Sequence, residues 1–289
     1  MTADLTEGML QTDRLSVHCL RSRPVDAAAR VLFLGGSNFD LRYKRGVLNS
    51  DLVHHFDIAT YEPRGIGRTE QPDGAWTMED YARDAIAVMD ALGWQDACII
   101  GESFGGMTSL HVALIAPDRV RRMVIASATA GGPVHRSFDI STFLDLPRET
   151  AAAKAMCLQD TRLKNLQDTA PDTFARKLAE RVAFEAAFAD PSITSGGYAR
   201  LLEARRDHDV TAHVADIKTP TTVIAGAHDM QADPRSQHAL AADLPNAVFH
   251  QFDAGHGVLF AAQEAVKMTI GALRDATVKT ANPVGVDIR

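Results

Sequence analysis

The sequence predicts an α/β fold, a mostly parallel sheet with helices on both faces and a helical insertion over its carboxyl edge. Three observations predict it. Short apolar segments alternate with helical ones along most of the 289 residues. The apolar segments are continuous runs, the pattern of strands buried on both faces. Finally, Gly101-Glu102-Ser103-Phe104-Gly105 joins one such strand to a helix. The flanking glycines there leave a serine hydroxyl standing alone at the turn.

The elements follow in order. Arg14 to Leu20 reads as part of an antiparallel edge pair. Val31–Leu34 is a strand that runs into Gly35-Gly36-Ser37-Asn38, and Asp57–Tyr61 is another that ends at Glu62-Pro63-Arg64-Gly65. Met78 to Leu92 has a helical period, with Thr77 as N-cap, Glu79 and Asp80 in the first turn, and Gly93 closing it. Ala97–Ile100 is the strand before the serine, and Gly106 to Ala116 is a packed helix that stops before Pro117. Arg122–Ala126, Thr221–Ala225 and Ala247–Phe252 are further strands. Between the last two lies a helix opened by Asp233 as N-cap and Pro234 at its first position. A final helix is expected over about Ala261 to Ala276, then a loose tail over Ala281 to Arg289.

From Gly131 to His213 the alternation stops. No segment there reads as a strand. Helical stretches at Arg148–Leu158 and Thr173–Ala189 are set apart by Asp190-Pro191 and Ser195-Gly196-Gly197. The expected organisation is therefore a core of residues 1–130 and 214–289 with a helical cap at residues 131–213.

Composition narrows the class of function. At 46% hydrophobic and 23% charged residues the chain can build a large core without staples. A net charge of −7 argues against a nucleic-acid partner, which needs a basic face, and Arg119, Arg121 and Arg122 form too short a cluster to supply one. Cys19, Cys98 and Cys157 are odd in number, widely spaced and without C-x-x-C, so they read as free thiols. No basic-then-apolar leader and no membrane-length apolar run is present, so a cytoplasmic protein with no membrane partner is expected. A homodimer remains open. There is no P-loop. Gly65-Ile66-Gly67 has Glu70 where a dinucleotide fingerprint needs its third glycine. No H-E-x-x-H or Cys/His cluster suggests a metal, so no cofactor is expected and the partner is a small-molecule substrate.

A serine needs a base to take its proton and an acid to orient that base. With a nucleophile elbow the chain order is serine, acid, histidine, each at a strand's carboxyl end. Ser103 is followed by Asp229, beyond Thr221–Ala225, and by His256, beyond Ala247–Phe252 and between Gly255 and Gly257. These are the expected catalytic residues. His228 precedes the acid, and Asp233 is better explained as a helix cap. An oxyanion formed at Ser103 needs two backbone donors. Phe104 supplies one, and the loop after Val31–Leu34 supplies the other, from Gly36 or, second, Ser37.

With these residues in place the chain resembles the α/β-hydrolase superfamily over nearly its whole length. Glu62-Pro63-Arg64-Gly65-Ile66-Gly67-Arg68-Thr69 is similar to the family's D-x-R-G-x-G-x-S loop, with Glu for Asp and Thr for Ser. Ala116-Pro117-Asp118-Arg119-Val120, Gly226-Ala227-His228-Asp229 and Gly255-His256-Gly257 match its helix close, acid loop and histidine loop. The resemblance is nearest to small capped members: enol-lactone hydrolases, methyl esterases, carbon–carbon bond hydrolases and cofactor-free haloperoxidases. Two departures are Leu34-Gly35 where His-Gly is frequent, and Glu102 before the serine.

The expected activity is hydrolysis of a small carboxylic ester or lactone through an acyl-enzyme. Carbon–carbon bond hydrolysis, or ligand binding without turnover on the same scaffold, stand as alternatives. The cap brings Phe138, Phe143, Leu144, Phe184 and Phe188, of which Phe138 and Phe143 are expected to line the substrate pocket together with Ser37. Arg205, Arg206 and His208 lie where the cap returns to the core. A solvated charged face explains them, or they meet a substrate carboxylate, with Arg206 and His208 as the binding candidates.

Overall fold

A computed structural model describes residues 4–42, 45–187 and 195–274. The expected tail at 281–289, the Asp190-Pro191 break and Phe188 lie outside the described residues. One eight-stranded sheet runs in the order β1-β2-β4-β3-β5-β6-β7-β8. Its strands are β1 Asp4–Gln11, β2 Ser16–Arg23, β3 Arg30–Leu34, β4 Asp57–Tyr61, β5 Ala97–Glu102, β6 Val120–Ala126, β7 Thr221–Gly226 and β8 Ala247–Phe252. From β4 to β8 every neighbouring pair is parallel, while β1 and β2 form an antiparallel ribbon against β4. The amino-terminal strand is an addition to the sequence reading. It is a polar edge strand, mostly exposed along its length, and such strands carry little hydrophobic period.

The apolar strands split their side chains between two cores. Leu32, Ile99, Met123 and Ile125 enter one cluster with the helices α1 Met78–Ala91 and α2 Phe104–Ile115. Val31, Phe33, Ile100 and Val124 enter the other, with Val258, Leu259 and Ile270 from the carboxyl-terminal helical segments. This period-two split between opposite cores is the geometry of strands buried on both faces.

Helix α1 begins as its sequence dictates. Thr77 accepts from the Asp80 N–H and the Asp80 carboxylate accepts from the Thr77 N–H, a reciprocal capping box. Between β6 and β7 the chain is helical: α3 Gly132–His135, α4 Arg148–Gln159, α5 Thr161–Thr169, α6 Pro171–Ala187 and α7 Gly197–Arg206. The expected helices correspond to α4 and α6, while α3, α5 and α7 are additional. Helix α5 has no buried residue, so it left no apolar stripe to read. The carboxyl-terminal helices are α8 Pro234–Asp243, capped by Asp233, then α9 Val258–Ala261 and α10 Gln263–Arg274. No helix among the described residues is long and apolar enough to cross a membrane.

The arginine of the Pro63-Arg64-Gly65 loop has a structural partner. Arg64 Nε and Nη2 donate to the two oxygens of Asp84 at 2.6 and 2.7 Å, and Arg14 Nε donates to Asp84 at 2.8 Å. Arg64 is 5% and Asp84 1% exposed. The pair ties the loop after β4 to the middle of α1. Asp84→Ala would strand a buried guanidinium, and it should lower the unfolding free energy by about 3–5 kcal/mol. A fall in the urea midpoint at unchanged slope checks this.

Candidate active site

Ser103 sits between β5 and α2 with φ 56° and ψ −116°, a left-handed conformation that an L-residue occupies at a cost of roughly 1–3 kcal/mol. Its surroundings enforce it. Ser103 N–H donates to Ala126 O at 2.8 Å, pinning the turn to β6. A Cβ on Gly105 would lie 1.9 Å from Leu34 O, and one on Gly101 2.6 Å from the Gly106 Cα. Only glycine lets helix and strand approach this closely, so the turn is as tight as its sequence requires.

The three residues expected to act together do meet. Ser103 Oγ is 2.9 Å from His256 Nε2, and His256 Nδ1 is 2.8 Å from Asp229 Oδ2. Asp229 is fully buried and Ser103 is 5% exposed. The other Asp229 oxygen accepts from the N–H groups of Gln231 and Ala232, both at 2.9 Å. A carboxylate so placed accepts at each oxygen. Its partner Nδ1 must therefore carry the proton, leaving Nε2 with a lone pair toward Ser103. The histidine loop is fixed independently. Ser127 Oγ donates to His256 O at 2.5 Å, and His256 N–H donates to Gln159 O at 2.7 Å, at the end of α4. Asp233 caps α8, as its place before Pro234 implied.

Gln231 was not visible as a site residue in the sequence. It is 4% exposed, and its Nε2 lies 2.8 Å from His256 Nε2, while Gln159 Nε2 donates to its Oε1 at 3.3 Å. Two donors, the Ser103 hydroxyl and the Gln231 amide, thus converge on one lone pair. When the imidazole gains a proton that nitrogen becomes a donor, and the amide must turn its oxygen inward or withdraw. No motif announces Gln231. Only its position two residues beyond the acid hints at it.

The expected oxyanion donors flank the serine. Phe104 is the first residue of α2, whose opening N–H groups have no acceptor within the helix. Its ring is held edge-on against Tyr81, centroids 4.8 Å apart. Gly36 lies across from Ser103, so that a Cβ there would be 3.8 Å from Ser103 Cβ. Ser37 is buried beside it.

The expected substrate contacts divide. Phe138, 41% exposed, and Phe143 stack with centroids 5.4 Å apart, and the Phe138 N–H donates to Gln231 O at 2.8 Å. Arg206 is exposed, within 3.4 Å of Asp207. His208 corrects the sequence reading. Both its ring nitrogens are engaged inside the protein, Nδ1 at 3.0 Å from His111 Nε2 and Nε2 at 2.9 Å from Thr129 O. Burial pushes the pKa of each of these histidines down to about 4. His208 therefore has neither a positive charge nor a free nitrogen for a carboxylate, and it fastens the chain after α7 to α2 and to the loop after β6. Among the described residues no group of three or more His, Cys, Asp or Glu could hold a metal ion.

Comparison with known proteins places the chain in context. Residues 31–262 match the profile of the alpha/beta hydrolase fold. The RutD protein of Caulobacter segnis, a candidate carbamate hydrolase, is 31% identical over 71% of this chain and 76% of its own length. A 2-hydroxymuconate semialdehyde hydrolase of Pseudomonas putida is 32% identical over 66% of this chain and 67% of its own. Among solved structures, the enol-lactonase of Burkholderia xenovorans LB400 superposes with a TM-score of 0.70 at 24% identity, covering 91% of this chain and 98% of that one.

The buried histidine pair has a pH consequence. Its folded pKa values lie below the ordinary 6.5, so the unfolded chain binds more protons between about pH 6.5 and 4. Stability is then complete above the unfolded value and is lost as pH falls through that window. Urea midpoints should drop across it by the equivalent of roughly 3 kcal/mol for each histidine. His111→Asn, which keeps a donor toward His208, should flatten the drop, and an equally steep drop in that variant would refute the assignment.

Proposed function

Because the chain belongs to the alpha/beta hydrolase fold family, we propose that it is a serine hydrolase that cleaves a small carboxylic ester or lactone through an acyl-enzyme. The observation that carries this reading is the unbroken line from Ser103 Oγ through His256 to Asp229, with hydrogen-bond distances of 2.9 and 2.8 Å. His256 Nε2 takes the hydroxyl proton as Ser103 Oγ bonds to the carbonyl carbon. Asp229 holds the imidazole in the required tautomer and stabilises the imidazolium. The N–H groups of Phe104 and Gly36 receive the oxyanion in a setting where fixed dipoles need no reorganisation. Collapse of the tetrahedral species breaks the bond to the leaving alcohol, which collects the proton from His256. Water then repeats the sequence on the acyl-enzyme, returning the proton to Ser103. Residues 131–213 act as the cap, with Phe138, Phe143 and Ser37 along the substrate path.

Carbon–carbon bond hydrolysis by the same residues is the second reading, favoured by the similarity to the 2-hydroxymuconate semialdehyde hydrolase. The carbamate activity given to RutD would need the same attack on a carbonyl, with a different leaving group. Ligand binding without turnover is the reading from outside enzymology.

Turnover of nitrophenyl acetate, a chromogenic ring-cleavage product and a simple carbamate separates these alternatives. On the ester, quenched protein should gain the acyl mass on the peptide that contains Ser103. Ser103→Ala should lose this adduct and about 10⁴–10⁶ in turnover. Full ester turnover in that variant would sink the proposal.

A further inference from the structure

Gln231 brings a carboxamide to the one nitrogen that must accept a proton in each half of the reaction. Its main chain is pinned on both sides. The Gln231 N–H donates to Asp229 Oδ1 at 2.9 Å, and its carbonyl accepts from the Phe138 N–H at 2.8 Å. The residue is 4% exposed, and its Nε2 lies 2.8 Å from His256 Nε2. Among the described residues, the polar side-chain atoms within hydrogen-bond reach of that nitrogen are this amide and Ser103 Oγ, at 2.9 Å. The far end of the amide is tethered loosely. Gln159 Nε2 donates to Gln231 Oε1 at 3.3 Å, from a half-buried side chain at the end of α4. A bond that long is weak and yields to rotation of the carboxamide.

Filling space does not account for a glutamine here. A buried amide costs free energy unless its hydrogen bonds are made, and an apolar side chain of the same length avoids that cost. In the free enzyme the amide competes with Ser103 for a single lone pair, which adds nothing to the nucleophile. The gain comes after acylation. Ser103 Oγ is then an ester oxygen with no proton to donate, while His256 Nε2 keeps its lone pair. A water that donates to this lone pair from the serine's side lies within reach of the amide. A carboxamide carries a donor and an acceptor on one rotor. Turning it breaks only the long contact with Gln159 and presents Oε1 to the water's second hydrogen. A water held by both hydrogens keeps its lone pairs aimed at the acyl carbon instead of tumbling.

We propose that Gln231 is a catalytic residue of deacylation, whose Oε1 orients the attacking water against His256 Nε2. The proposal rests on the acyl-enzyme reading above and assigns a group to its second step. The water oxygen bonds to the acyl carbonyl carbon as one proton passes to His256 Nε2. The tetrahedral species then breaks its bond to Ser103 Oγ, which takes that proton back. The second water proton, held on Gln231 until then, leaves with the carboxylic acid.

Nitrophenyl acetate tests this under single turnover, with nitrophenol release reporting acylation and decay of the acyl mass reporting deacylation. Gln231→Met keeps the length and removes the amide. It should acylate within about threefold of wild type and deacylate roughly 10- to 100-fold more slowly, so that acyl-enzyme accumulates. Both rates come from the same active molecules, so loss of folded protein leaves their ratio unchanged. Two steps slowed alike would overturn the proposal. So would deacylation as fast as wild type or faster, since the amide would then be idle or in the water's way. A second measurement needs no variant. Wild type acylated in crystals by a hindered ester, nitrophenyl trimethylacetate, should hold a water within about 3.2 Å of both His256 Nε2 and Gln231 Oε1. An amide still seated on His256 Nε2 with no water between them would overturn the assignment. Wild type that never gains an acyl mass at Ser103 would remove the acyl-enzyme reading itself. Acylation at Ser103 with both steps equally slow in Gln231→Met would remove only the role of Gln231.

Discussion

The site depends on one unfavourable backbone conformation. Ser103 holds a φ of 56° because β5 must turn at once into α2 while its N–H stays bonded to Ala126 on the next strand. The strain of roughly 1–3 kcal/mol is sustained by the packing on either side. Gly101 and Gly105 permit the close approach of strand and helix, and Phe104 is locked against Tyr81. The same turn places the hydroxyl above the sheet edge and points the first N–H groups of α2 toward whatever reacts there. A relaxed turn would lose both together.

Asp229 and His256 reach this turn from the ends of neighbouring parallel strands, β7 and β8. Each is also held by contacts on its other atoms. Asp229 is oriented by two backbone N–H groups, and His256 is held by Ser127 and by the carbonyl of Gln159. The last contact involves the helical segment between β6 and β7. Helix α4 ends on the histidine loop, and its Gln159 side chain also holds Gln231 against the base. The segment expected to choose the substrate therefore touches the group expected to move the proton.

Much of this was legible in the sequence because parallel strands write themselves as continuous apolar runs. Ser103 and Asp229 could be read from chain order because each follows such a run, and His256 because it sits between two glycines after the half-exposed edge strand β8. The antiparallel strand Asp4–Gln11 was not legible because an edge strand facing water has no apolar signature. Gln231 and Gln159 could not be found because their significance comes from tertiary contact, with no residue pattern between positions 159 and 231. The cluster at 205–208 shows the limit most sharply. Arg205 and Arg206 are chemically identical in sequence, yet the 100° rotation per residue of a helix buries one and exposes the other. His208, legible as a candidate ligand, is spent on His111 and Thr129.

The central claim is that the hydrogen-bonded line from Asp229 to Ser103 makes one hydroxyl reactive. The rate of covalent labelling by a fluorophosphonate measures this directly, with peptide mapping to locate the label and no assumption about the natural substrate. Wild type should be labelled rapidly and at Ser103 alone, and Asp229→Ala should slow that labelling by at least about 100-fold. Equal rates in the two proteins, or a wild type that resists the reagent, would contradict the account.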